Sequence, residues 1–388
     1  MSAIGGMIQW ETKSFDSRPL FEMSRAMRLR GGAMRCADLR GSVALLQHTE
    51  TKASEHFPFS LNEDGARLVA VIDGAPRLSP LGEDLGDALY DPADPVTILR
   101  AYRQLGSALA DSLEGDFALA VANEARGELY LARDRDGARP LFYRTDEQGL
   151  LFASSACALL RAEGALFRVD ASALRAHLRS PCGVYFAEDL YSDLSSLPEG
   201  CGAIFSRMGL KCFPLKPATT QERKPTAESI PLPEVYVPNE EALASMLTEL
   251  LFAFEYPEFD HLMPSLLHEL SIRREQGCPS QLWVEDPMLY LNVRYAKVRS
   301  DRIGALKRLT LTPTVPERSF VKEKDLRRLE KTLRSLLGST DTQPLRALLG
   351  NDWSEGIIQE KNTARRIRME GMAYQMLLWL RHFPLRIS

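Results

Sequence analysis

The segment from Leu113 to Tyr143, LEGDFALAVANEARGELYLARDRDGARPLFY, constrains the fold of this chain more than any other. Phe117, Leu119 and Val121 alternate with Asp116, Ala118 and Ala120, the period-two pattern of a strand. Asn123 to Gly127 is polar and ends in glycine, which predicts a hairpin turn. A second strand over Glu128 to Arg133 runs into another turn-forming run, Asp134-Arg135-Asp136-Gly137, and then into Arg139-Pro140-Leu141-Phe142-Tyr143. The residues by themselves describe a β-meander with a charged corner, and no chemistry follows from that alone.

The chain has 388 residues, enough for two domains or one large one with a substantial core. Its net charge of -4 selects no polyanionic or membrane partner. The start, MSAIGGMIQW, is too short and too uncharged for a secretory signal, and no run approaches the roughly 20 apolar residues of a membrane helix. Six cysteines are scattered without a C-x-x-C pair, the usage of reduced, buried thiols in a cytoplasmic protein. The histidines form no metal pattern: His261 and His268 lie seven apart on an expected helix, with no third ligand nearby. Neither G-x-x-x-x-G-K-[ST] nor G-x-G-x-x-G occurs.

Strand signals at Met7 to Trp10, Arg67 to Ile72 and Leu150 to Ser154 mix with helical ones at Pro95 to Leu105 and Asp170 to Leu178, so stacked layers are expected. Asp94 precedes Pro95 as an N-cap. From Pro214 to Pro238 six prolines interrupt any helix or sheet interior, marking a linker. Beyond it the spacing becomes helical over Glu240 to Phe254, Leu262 to Arg273, Lys322 to Leu337 and Glu360 to Arg381. Leu326, Leu329, Leu333, Leu336 and Leu337 form an apolar stripe. Thr226 to Tyr290 holds twelve acids against two arginines, whereas Arg294 to Arg334 holds thirteen bases against five acids. Such a basic stretch can bind nucleic acid, but its only interleaved aromatics are Tyr295 and Phe320, and it follows an acidic stretch. Neutralisation within one helical domain is the expectation, with no nucleic-acid and no membrane partner.

The wording L-x-G-x-F-A-x-A … L-x-L-A-R-D-R-x-G-x-R-P-L-F-Y in the opening segment resembles the glutaminase half of glutamine-hydrolysing asparagine synthetases, the class II glutamine amidotransferases. Asp189 to Gly202, DLYSDLSSLPEGCG, is similar to that family's approach to its linker, and Met372 to Phe383 to its closing helix. The resemblance implies an α+β fold. Residues 1–212 would form an αββα sandwich of N-terminal-nucleophile type, residues 213–238 the linker, and residues 239–388 a smaller, mainly helical domain.

The resemblance also implies a site. In the family an N-terminal Cys, exposed by removal of Met, attacks the amide, with its own α-amine (pKa near ~8) as general base. Here position 2 is Ser2, followed by Ala3-Ile4-Gly5-Gly6, and a hydroxyl is harder to activate than a thiol. The family's N-G-E-I-Y-N, whose Asn side chain and Gly N–H stabilise the oxyanion, corresponds to Asp73-Gly74-Ala75-Pro76-Arg77-Leu78. Asp73 puts a carboxylate where a donor is needed. The arginine expected to clamp the glutamine carboxylate falls within Ala44 to Thr49, which contains none; Asp94 matches the acid that grips the substrate amine. The family's S-G-G-x-D-S loop for ATP phosphates occurs nowhere, and the second half is too short for an intact ATP domain.

The expectation is therefore an asparagine synthetase-like protein that has lost its catalysis, carries no cofactor or metal, and binds a partner protein or small ligand. An intact synthetase or amidotransferase, or a second copy of the chain, is the natural partner. The alternatives are an N-terminal-nucleophile amidohydrolase using Ser2 and, by similarity alone, a glutamine-hydrolysing asparagine synthase.

Overall fold

The computed structural model describes residues 2–10, 16–31, 34–40, 42–49, 59–63, 66–78, 95–135, 137, 139–162, 167–179, 191, 194–216, 236–254, 257, 259, 264–265, 268, 322–383 and 385–387. The chain divides into two compact units, Met1–Ala165 with Asp193–Arg223, and Leu166–Ser192 with Lys224–Ser388. The segment Leu166–Ser192, which the sequence groups with the first domain, belongs with the second unit. The expected linker falls mostly outside the described residues.

The first unit is a mixed α/β structure built on two antiparallel six-stranded sheets. Sheet one contains β1 (Ser2–Gln9), β2 (Met34–Arg40), β3 (Val43–Thr49), β10 (Phe142–Thr145), β11 (Gly149–Ala153) and β13 (Ser195–Ser196), in the order β13-β10-β11-β1-β3-β2. Sheet two contains β4 (Phe59–Glu63), β5 (Ala66–Gly74), β8 (Phe117–Asn123), β9 (Glu128–Arg133), β14 (Cys201–Ser206) and β15 (Gly209–Pro214), in the order β15-β14-β9-β8-β5-β4. A small ladder joins β6 (Arg77–Leu78) to β7 (Leu113–Glu114).

The alternation in the opening segment separates two apolar layers rather than core from solvent. On β8, Phe117, Leu119 and Val121 pack with Ile98, Leu99 and Tyr102 of helix α2 (Pro95–Leu105). Ala118, Ala120 and Ala122 face the other way, against Ile4, Ile8, Leu45 and Phe152 of sheet one. Alanines on that face let the sheets approach; large residues on the other fill the space beneath the helix. Helix α1 (Arg18–Gly31) and helix α3 (Ala156–Ala162) pack against each other beside β1, β3, β10 and β11. Gly6 admits no side chain in this arrangement: a Cβ there would lie 2.6 Å from the Ala44 carbonyl oxygen and 2.6 Å from the Phe152 ring.

The charged corner is a scaffold made of satisfied backbone groups. Arg133 is buried and donates to the carbonyls of Arg139 (2.7 Å), Leu197 (2.8 Å) and Gly137 (2.9 Å). Asp134 Oδ2 accepts from the Phe117 N–H at 3.3 Å and the Arg139 N–H at 3.1 Å. Arg135 donates to the carbonyls of Leu113 and Asp111, each at 2.9 Å. The Ser-Leu-Pro-Glu-Gly run docks here too, the Gly200 N–H donating to the Asp134 carbonyl at 2.8 Å. A guanidinium with three carbonyls is a fixed fork, which explains arginine rather than lysine at position 133.

The second unit is mainly helical among the described residues. Helices α4 (Ala171–Arg179), α5 (Glu240–Phe254), α6 (Glu323–Gly338), α7 (Gln343–Leu349) and α8 (Glu355–Gln359) accompany α9 (Thr363–His382), with a short parallel ladder of β12 (Phe167–Val169) and β16 (Leu385–Ile387). Asn362 caps α9, its Oδ1 accepting from the Arg365 N–H at 3.1 Å. Helix α9 is buried along most of Ile367 to Trp379, and the Trp379 indole N–H donates to the Tyr191 hydroxyl at 3.2 Å. The stripe on α6 faces inward through Leu329, Leu333 and Leu336, while Arg327 and Arg328 pair with Glu323 and Asp325 on its exposed side. The basic residues before position 322 lie outside the described residues.

Candidate functional site

Of the four residues singled out by the sequence, Ser2 opens β1, where its backbone pairs in register with Thr49 of β3. Asp73 and Gly74 close β5 opposite Ala118 and Phe117 of β8. Asp94 lies outside the described residues. Gly74 is required by geometry: its φ is 100°, and a Cβ would stand 2.1 Å from the Asp116 carbonyl oxygen.

Asp73 is buried, and both of its carboxylate oxygens are engaged. The Ser154 hydroxyl donates to Oδ2 at 2.9 Å, and the Arg139 guanidinium stands 3.6 Å from Oδ1. Arg139 comes from the charged corner, where Asp134 holds its N–H and Arg133 its carbonyl. Ser154 comes from the end of β11, where its hydroxyl accepts from the Ile4 N–H at 3.0 Å and its own N–H donates to the Ile4 carbonyl at 2.8 Å. Asp73 of sheet two is thereby joined to β1 of sheet one, two residues from Ser2.

The stretch without the expected arginine is occupied by internal contacts. The Gln47 side chain spans the sheets, its amide donating to the Ile72 carbonyl at 2.8 Å and accepting from the Ile72 N–H at 3.1 Å. His48 is fully buried, with its Nε2 3.1 Å from the Ser24 hydroxyl of α1. These side chains fasten β3 to its neighbours on both faces.

Ser154 and Arg139 are the residues that sequence reasoning did not select. Arg139 stands in the opening wording, where it reads as part of a turn, and Ser154 reads as the last residue of a strand. Chemically the cluster is one carboxylate, one hydroxyl and one guanidinium, all within the fold. Asp73 acts in this cluster as an acceptor, from the Ser154 hydroxyl, and not as the amide-type donor that an oxyanion needs.

Elsewhere, Cys157 is buried, Cys201 half-buried and Cys212 exposed, so Cys212 departs from the expected buried thiols. Burial raises the Cys201 thiol above its ordinary range, the direction that makes it less reactive. His268 stacks on Tyr236 at 3.8 Å, while His261 is outside the described residues. Among the described residues no three His, Cys, Asp or Glu side chains are grouped to hold a metal ion, and no helix is long and apolar enough to cross a membrane.

Residues 1–215 match the family model of the glutamine amidotransferase domain. Asparagine synthetase [glutamine-hydrolyzing] 2 of Bacillus subtilis (strain 168) is 33% identical over 98 residues, 25% of this chain and 13% of that protein. Asparagine synthetase [glutamine-hydrolyzing] 3 of the same organism is 37% identical over 82 residues, 21% of this chain and again 13% of the relative. The matched segments thus span a small part of these relatives' length. A solved structure of glutamine phosphoribosylpyrophosphate amidotransferase from B. subtilis, complexed with ADP and GMP, aligns at 13% identity with a TM-score of 0.39. That alignment covers 56% of this chain and 49% of the other.

Proposed function

We propose that this chain, which belongs to the class II glutamine amidotransferase family, uses its amidotransferase domain as a binding scaffold and does not hydrolyse free glutamine. Asp73 carries this reading: a buried carboxylate, held by Ser154 and Arg139, occupies the position where the family's chemistry calls for an amide donor. The absence of an arginine between Ala44 and Thr49 supports it, because substrate orientation would lack its bidentate clamp. The two facing sheets with helices packed beside them fit an αββα sandwich of N-terminal-nucleophile type. Residues 239–388, mainly helical among those described, are then the remnant of a synthetase half without its ATP loop. The occupant of the scaffold is an intact synthetase or amidotransferase, a second copy of the chain, or a small ligand, and the setting is the cytoplasm.

Intact mass and N-terminal sequencing test the reading first, since a retained Met1 ends the Ser2 amidohydrolase alternative. With Ser2 exposed, no ammonia is expected from glutamine or asparagine. Release that disappears in Ser2→Ala would overturn the scaffold reading. ATP–pyrophosphate exchange with aspartate is expected to be undetectable, and a positive result would restore the synthase alternative.

A further inference from the structure

We infer that Ser154 is a positioning residue for the N-terminal end of β1, and that Asp73 and Arg139 act through it. The β1–β11 ladder ends at the pair Gly5 and Ala153. One residue further, Ser154 continues it by two bonds: its N–H meets the Ile4 carbonyl at 2.8 Å, and its hydroxyl replaces a main-chain carbonyl as acceptor for the Ile4 N–H at 3.0 Å. A hydroxyl has one proton, and here it is donated to Asp73 at 2.9 Å, which orients the oxygen's lone pairs toward Ile4. Asp73 belongs to the opposite sheet, and the Arg139 guanidinium 3.6 Å away balances its charge inside the fold. The Asp73 carboxylate has thus become the anchor of a relay that runs from the charged corner, through both sheets, to the backbone two residues from Ser2. The relay stands whether or not the domain turns over a substrate, because it depends on bonds within the chain.

Site-resolved amide hydrogen exchange on the full chain tests it, with Ile4 as reporter and Val121 at the centre of β8 as reference. Ser154→Ala is expected to speed Ile4 exchange roughly tenfold relative to Val121, the effect of one lost hydrogen bond. Ser154→Thr, which keeps the hydroxyl, is expected to restore protection. Measured relative to Val121, which takes up any global loss from stranding Arg139, Asp73→Ala should speed Ile4 exchange in the native background and add nothing in Ser154→Ala, whereas Asp73→Asn, still an acceptor, should keep Ile4 slow. A merely structural role would speed Val121 as much as Ile4. That result, unchanged Ile4 exchange in Ser154→Ala, or additive effects of Ser154→Ala and Asp73→Ala would each overturn the relay.

Discussion

Replacing Arg139 with Met removes the counter-charge of Asp73 while keeping an aliphatic side chain of similar reach. The Asp73 side chain is 4% exposed and the Arg139 side chain 14%, so water can hardly take the guanidinium's place. At 3.6 Å and an effective dielectric of ~20, the pair's attraction is roughly 4–5 kcal/mol. Stranding one member of a buried pair costs roughly 3–5 kcal/mol. Ser154 still donates to the carboxylate, so the lower end, about 3 kcal/mol, is expected. Exchange of the slowest amides of β5 and β8, which open only when the first unit unfolds, reads this loss directly. The double variant Asp73→Asn with Arg139→Met removes both charges and keeps an acceptor for Ser154, so it is expected to cost about 1 kcal/mol. The cycle should then show a coupling of at least ~2 kcal/mol. A cost below ~1 kcal/mol for Arg139→Met, or a double variant as damaged as the sum of its singles, would refute the argument.

Arg133→Lys should destabilise the first unit by about 3 kcal/mol or more in the same exchange measurement, because one ammonium cannot serve three diverging carbonyls. Gly74→Ala should cost at least ~2 kcal/mol, combining positive φ with the overlap on Asp116, and should lower the apparent Tm of the first unit. Burial raises the Glu370 carboxyl above its ordinary value, the hydrogen bond from Arg334 only partly opposing it. The charged form therefore costs more in the fold than in the unfolded chain. This group's stabilising term is fully present below its unfolded value and is lost as pH rises through its folded value. Glu370→Gln should make the second unit more resistant to urea at pH 8 than the native chain, with the difference vanishing as pH falls toward ~4.

Much of this architecture is legible in local patterns. The hairpin from Phe117 to Arg133, the helix from Pro95 to Leu105 and the apolar stripe on α6 follow from spacing and turn chemistry, because each signal lies within a few residues. What spacing could not show is that β8 separates two apolar layers, since that depends on a second sheet and a helix supplied from elsewhere in the chain. The site shows the same division. Asp73 is conspicuous as a substitution in a recognisable motif, yet its partners Ser154 and Arg139 are 81 and 66 residues away and resemble ordinary strand and turn residues. Their role comes from the meeting of two sheets, which no local period records. The grouping of Leu166–Ser192 with the helical unit was hidden for the same reason, because strand β12 finds its parallel partner in β16 near the far end of the chain.

Residue 2 is expected not to act as a nucleophile toward glutamine. Incubation with a diazoketone analogue of glutamine, followed by intact mass and peptide mapping, tests it without requiring turnover. The N-terminal peptide is expected to remain unmodified. An adduct on Ser2, absent when free glutamine competes, would contradict it.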